Sequence, residues 1–306
     1  MKSRRIIGMI GGGFILALIL FAAVSLSGGG NTIDPAQDAI TEGVAASLIP
    51  VTFTQISETQ ADGQRSLRLS GIAEPGSVVA LLDRGETVRQ VRSTPQGVWS
   101  AIIDITDPGM AIEAILFDNS EDDPAVSEEA AVTSIRGIET IFRIEQPGEL
   151  YADQPALIMV GVPGSPTRLI QSPFSGVPTE GPLSLSVIDY DDNGGVIISG
   201  VSSAPGRVRL YASNAAIGET RVGADGRWTY IASSVMPIGE YTIRAELLTD
   251  GQSDPVVAVP FERLPPLPDT GSDDGALSVS FSSYRWQVRR SLIGGGTQSA
   301  VIFAPE

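Results

Sequence analysis

The sequence predicts a mainly β protein: two β-sandwich domains behind one N-terminal transmembrane helix, with a small strand-helix segment at the C-terminus. Three observations predict it. Residues 6–27 form an uncharged apolar run, one strand-rich pattern occurs twice, at 49–133 and 183–262, and residues 276–306 pass from alternating to helical spacing.

Lys2, Arg4 and Arg5, in residues 1–5, precede the apolar run. As a helix rising about 1.5 Å per residue, that run spans roughly 33 Å, the thickness of a bilayer core. The first acidic residue is Asp34, so the positive-inside rule puts residues 1–5 in the cytoplasm and the bulk of the chain outside. Ser25-Leu-Ser27 offers small residues for cleavage as a signal peptide, but a cleaved apolar region is usually about 7 to 15 residues long. The run is longer, which favours an uncleaved anchor. Residues 28–48, opening on Gly28-Gly-Gly30, read as a flexible linker.

The duplication appears when Leu69-Ser-Gly-Ile-Ala-Glu-Pro-Gly76 is laid on Ile198-Ser-Gly-Val-Ser-Ser-Ala-Pro-Gly206. Further on, Gln96-Gly-Val-Trp99 matches Asp225-Gly-Arg-Trp228, and shared anchors at a constant offset mark a repeated unit. Within each copy, runs such as Arg207-Val-Arg-Leu-Tyr211 alternate with period two between Gly, Pro, Asn and Asp, the pattern of half-buried strands. Pro75-Gly76 suits a type II turn, and Gln96-Gly97 and Asp225-Gly226 suit hairpins. The seven or so strand candidates in the second copy are the number expected of an immunoglobulin-like sandwich, and the first copy follows the same plan. Trp99 and Trp228, at equivalent positions, fit the core of such a sandwich better than a sugar-stacking surface.

Residues 134–182 are proline-rich with short apolar runs such as Ala156-Leu-Ile-Met-Val160 and read as a partly ordered spacer. Residues 263–275 concentrate Pro, Asp and Gly and read as a second linker.

Composition narrows the chemistry. The chain has no Cys and no His, and its one Lys is Lys2, so disulfides, Ser/His/Asp or Cys/His catalysis and His or Cys metal sites have no residues to build on. The net charge is −16, which disfavours nucleic acid as a partner. Carboxylates remain, but clusters such as Glu121-Asp-Asp123 lie in turns and linkers, where solvation supplies no raised general acid. No catalytic, cofactor or metal residue is therefore expected, and no enzyme. Asp189-Tyr-Asp-Asp-Asn-Gly194 opens like a calcium loop, yet its twelfth position is Gly200 instead of Glu, so it reads as an acidic turn. Leu267-Pro-Asp-Thr-Gly271 fits a sortase signal, but no apolar span follows it.

In the tail, Leu277-Ser-Val-Ser-Phe281 alternates as a strand. Trp286, Val288, Leu292 and Ile293 then suit a helix over 284–293 with Arg289 and Arg290 near its C-terminus, Gly294-Gly-Gly296 ends it, and a second helix begins near Thr297. This order, with Trp286-Gln-Val-Arg-Arg290, Gly296-Thr-Gln298 and Val301-Ile-Phe303, resembles the first part of a LysM domain. The whole chain resembles bacterial envelope proteins with a membrane segment, Ig-like repeats and a C-terminal LysM domain. Ser70-Gly71, Pro166-Thr-Arg-Leu-Ile-Gln-Ser-Pro173, Leu185-Ser-Val-Ile-Asp-Tyr190 and Pro260-Phe-Glu-Arg263 carry that wider match.

The resemblance implies a single-pass inner-membrane protein with a periplasmic bulk, and peptidoglycan as its partner. Two departures touch the glycan groove. Phe281-Ser-Ser-Tyr-Arg285 stands where the family has a Pro-Gly turn, and Ala304-Pro-Glu306 stands where it has a closing strand. Residues 276–306 thus read as a partial LysM-like segment with no glycan-binding residue assigned. The function expected is a non-enzymatic, membrane-anchored envelope protein associated with peptidoglycan. The alternative is a structural or protein-interaction module whose remnant no longer binds glycan.

Overall fold

The computed structural model describes residues 49–305 apart from 62, 118–133, 152, 176–180, 250–251, 269–276 and 293–294. The expected membrane span at 6–27 and linker at 28–48 lie outside them. No described helix is long and apolar enough to cross a membrane. The described residues belong to one unit, Ser47–Glu306.

Period-two alternation sets the architecture, because successive side chains on a strand face opposite layers. The first copy of the repeat supplies β1 (Thr52–Ala61), β2 (Gln64–Ile72), β3 (Val78–Asp83), β4 (Glu86–Arg92), β5 (Val98–Asp104) and β6 (Gly109–Phe117), and β7 (Ser134–Ile144), beyond the expected bound at 133, completes its seven strands. Next come β8 (Leu157–Gly161) and β9 (Arg168–Gln171). The second copy supplies β10 (Leu183–Asp191), β11 (Val196–Ser202), β12 (Arg207–Ala212), β13 (Ala215–Arg221), β14 (Arg227–Ile231), β15 (Gly239–Thr249) and β16 (Gln252–Arg263). The tail forms β17 (Leu277–Phe281), β18 (Arg285–Ser291) and β19 (Thr297–Phe303).

These strands make four antiparallel sheets, ordered β1-β2-β5, β4-β3-β6-β7-β8-β9, β14-β11-β10-β19-β18-β17 and β13-β12-β15-β16. The duplication is visible strand for strand: β1-β2-β5 corresponds to β10-β11-β14, and β4-β3-β6-β7 to β13-β12-β15-β16. The shared anchors explain themselves. Gly71 lies opposite Trp99 in the β2–β5 register and Gly200 opposite Trp228 in the β11–β14 register. A Cβ at Gly71 would stand 1.8 Å from the Thr52 carbonyl oxygen and 2.7 Å from the Trp99 ring, and one at Gly200 2.0 Å from the Ser184 oxygen and 2.5 Å from the Trp228 ring. Only glycine lets the indole lie flat on the neighbouring strand.

Three cores separate the four sheets. Leu67, Leu69, Leu81, Trp99 and Ile112 fill the first, and Ile198, Leu210, Trp228, Ile243 and Phe261 the last. Between the two inner sheets lies a third core, with Phe142, Ile144, Leu157 and Met159 on one side and Val187, Trp286, Val288, Ala300 and Ile302 on the other. Central strands of the inner sheets, β8 and β19 among them, are therefore buried on both faces. Along β8, Ile158 and Val160 face the first core while Leu157 and Met159 face the middle one. Along β19, Val301 and Phe303 face the last core while Ala300 and Ile302 face the middle one. A strand covered on both sides reads as a continuous apolar run, which accounts for Ala156-Leu-Ile-Met-Val160 and Ala300-Val-Ile-Phe303.

Two expectations are corrected here. The helix expected over 284–293 is β18, and the one expected from Thr297 is β19. The only described helical element is the 3-10 turn Glu149–Tyr151. Trp286 and Val288 satisfy period two as well as helical spacing, and short apolar runs are ambiguous between the two. Pairing decides between them, because β18 lies between β17 and β19, and β19 pairs in turn with β10, which satisfies the backbone along the sheet. Residues 134–182, expected as a partly ordered spacer, carry β7 to β9 and so build one wall of the middle core.

Candidate functional site

Trp99, Trp228 and Trp286 fill one core each and are at most 1% exposed, so none offers a platform to a sugar. Trp286 packs edge-on against Phe281, with ring centres 4.7 Å apart. The acidic turn after β10 has its oxygens turned apart. Asp189 is buried and accepts hydrogen bonds from the Thr167 backbone N–H at 2.9 Å and the Thr167 hydroxyl at 2.6 Å. Asp191 accepts from the Gly195 N–H at 3.0 Å, and Asp192 from the Thr297 N–H at 2.5 Å. These carboxylates tie the turn to neighbouring segments, and among the described residues no three acidic side chains are grouped to hold a metal ion. Of Leu267-Pro-Asp-Thr-Gly271, the described part is bound into the fold by the Leu267 N–H, which donates to the Thr297 hydroxyl at 2.9 Å; residues 269–271 lie outside the described residues.

A cleft of about 420 Å3 lies at the rim of the middle core. Its walls come from β6, β7, the turn after β8 and the end of β18, and include Glu113, Arg136, Ile138, Phe142, Pro163 and Arg290. Two of its arginines are matched by carboxylates: Arg136 pairs with Glu113, and Arg84 with Asp107 at 2.9 Å. Arg290 differs. It is 9% exposed, its Nε and Nη2 donate to Gln298 Oε1 at 3.0 and 2.7 Å, and its Nη1 donates to the Thr140 hydroxyl at 2.6 Å. The guanidinium carbon lies 5.1 Å from the centre of the Phe142 ring, a cation–π contact. Burial pushes its pKa down to about 10, against the pull of Glu113, so it remains charged at neutral pH.

Sequence reasoning met Arg290 only as a basic residue at a helix end. In β18 the two adjacent arginines face opposite ways: Arg289 donates to the Pro265 carbonyl at the surface, while Arg290 follows Trp286 and Val288 toward the middle layer. The signal was present as the alternation Trp286-x-Val288-x-Arg290, which puts a cation on an otherwise apolar strand face. No family model matches the chain, and no curated protein matches it.

Proposed function

We propose that this chain is a non-enzymatic structural and protein-interaction module of a cell envelope, built of two Ig-like sandwiches and held to the membrane by residues 6–27. The observation that carries this reading is the middle core. Residues between the two copies and residues after them are used to bind two similar sandwiches to each other, which suits a stiff spacer or display platform. The division of seven repeated strands into sheets of three and four supports the Ig-like description. Against a catalytic role stand the absence of His and Cys from the sequence and the engagement of the buried carboxylate Asp189 in fixed hydrogen bonds.

Association with peptidoglycan rests on the resemblance of the tail to a LysM domain, and the strands in place of the helices that this resemblance implied weaken that support. Co-sedimentation of the full-length chain with purified sacculi separates the readings. The scaffold reading expects no retention above that of an inert acidic protein. Retention that chitin oligomers compete away would contradict it and restore the glycan role.

A further inference from the structure

We propose that the cleft at the rim of the middle core binds a carboxylate carried on an apolar peptide segment, with Arg290 as its anchor. A guanidinium has five N–H donors, and three of those of Arg290 go to neutral oxygens of Gln298 and Thr140. One N–H on each terminal nitrogen is left over. Among the described residues no carboxylate lies within ion-pair distance of it, whereas the fully buried Arg143 pairs with Glu58 and Glu145. The third buried arginine, Arg263, donates to the carbonyl oxygens of Asp191 and Asp192 inside the acidic turn and does not line this cleft.

Glu113 acts on this cation only from beyond contact distance, and a buried cation with no carboxylate in contact is costly to the fold, a cost that is offset when an anion arrives. Because Arg290 is fixed from three sides before a ligand enters, it needs little ordering on binding. Water is partly excluded around it, so a charge-assisted pair there is stronger than one on the surface. The rest of the cleft selects the ligand. Arg84 is held by Asp83 and Asp107 and Arg136 by Glu113, which leaves Arg290 as the cleft arginine with no carboxylate contact among the described residues and suits a monoanion better than a phosphate dianion. Ile138, Phe142, Pro163 and Leu292 supply apolar wall, and Ile138 is 66% exposed at the mouth. A carboxylate attached to an apolar residue fits both features, whether it is a chain terminus or an acidic side chain.

Calorimetric titration of the full-length chain in a non-ionic detergent tests this with four probes: acetyl-Leu-Ala bearing a free terminal carboxylate, its terminal amide, acetyl-Leu-Glu amide, and inorganic phosphate. At least one of the two carboxylate probes should bind about tenfold more tightly than acetyl-Leu-Ala amide, and more tightly than phosphate. Which of the two does so tells a chain terminus from a side chain. Arg290→Met should abolish that preference while leaving the thermal midpoint unchanged or raised. Ile138→Glu, on an exposed side chain, should weaken carboxylate binding about tenfold by repulsion without touching the core. Equal affinity for acid and amide, no binding up to about 10 mM, tighter binding of phosphate, or a preference that survives both substitutions would overturn the assignment.

Discussion

At Asp189 a single carboxylate joins two parts of the chain that the sequence keeps apart. It lies on β10, and its partner Thr167 lies in the connection between β8 and β9. Burial raises its pKa from 3.8 to about 6, against the lowering effect of the two Thr167 hydrogen bonds. The folded state thus holds this proton more tightly than the unfolded state. The resulting stability is fully present below pH 3.8 and is lost as the pH rises through about 6. A shift of that size corresponds to about 3 kcal/mol at 1.36 kcal/mol per unit. Asp189→Asn removes the titration, so the stability of the variant relative to the native chain should be about 2.4 kcal/mol more favourable at pH 7 than at pH 4, where the unfolded carboxyl is already largely ionised. Urea unfolding at the two pH values measures it, and an unchanged difference would contradict the burial of an ionisable group there. The oxygen-rich turn was legible in the sequence. The hydroxyl that occupies its first carboxylate was not, because nothing local links Thr167 to Asp189.

The elements divide in the same way. Both copies of the repeat were legible as β-structure because their strands have local markers: a Gly opposite each core Trp, turn glycines before that Trp, and polar residues on alternate positions. Where a strand lost its polar alternation, legibility failed. β19 is covered on both sides, and its run of Val, Ile and Phe carries no period that tells strand from helix, while in β18 only Trp286 and Val288 are apolar and their spacing suits a strand and a helix alike. Residues 134–182 looked like a spacer because Pro147, Pro155, Pro163 and Pro166 sit in the connections between β7, β8 and β9, while the partner that orders them lies in the tail. Trp286 is the largest side chain of that shared core and is fully buried against Phe281 and Phe174. Trp286→Ala should cost about 3 to 5 kcal/mol in urea unfolding, the range for deleting a core aromatic ring. A loss below about 1 kcal/mol would mean that the tail rests on the surface instead of filling a core.

At the scale of the whole molecule, the central claim is that the four sheets stand or fall together because the middle core belongs to both halves. Two sandwiches joined only by a linker would open independently, and their tail would fray first. Sharing β7 and β10 between cores couples them instead, since neither inner sheet can lose its outer face without exposing apolar side chains of the other. The cleft belongs to the same scale, since Arg290 from the tail meets Thr140 from β7 only where the two inner sheets face each other. Amide hydrogen exchange on the full-length chain in increasing denaturant tests this most directly. The shared core predicts that amides of β7, β8, β18 and β19 exchange through the same opening, at the same free energy, as those of β2 and β11. Exchange of β18 and β19 through a separate opening of much lower free energy, with β2 and β11 still protected, would contradict it.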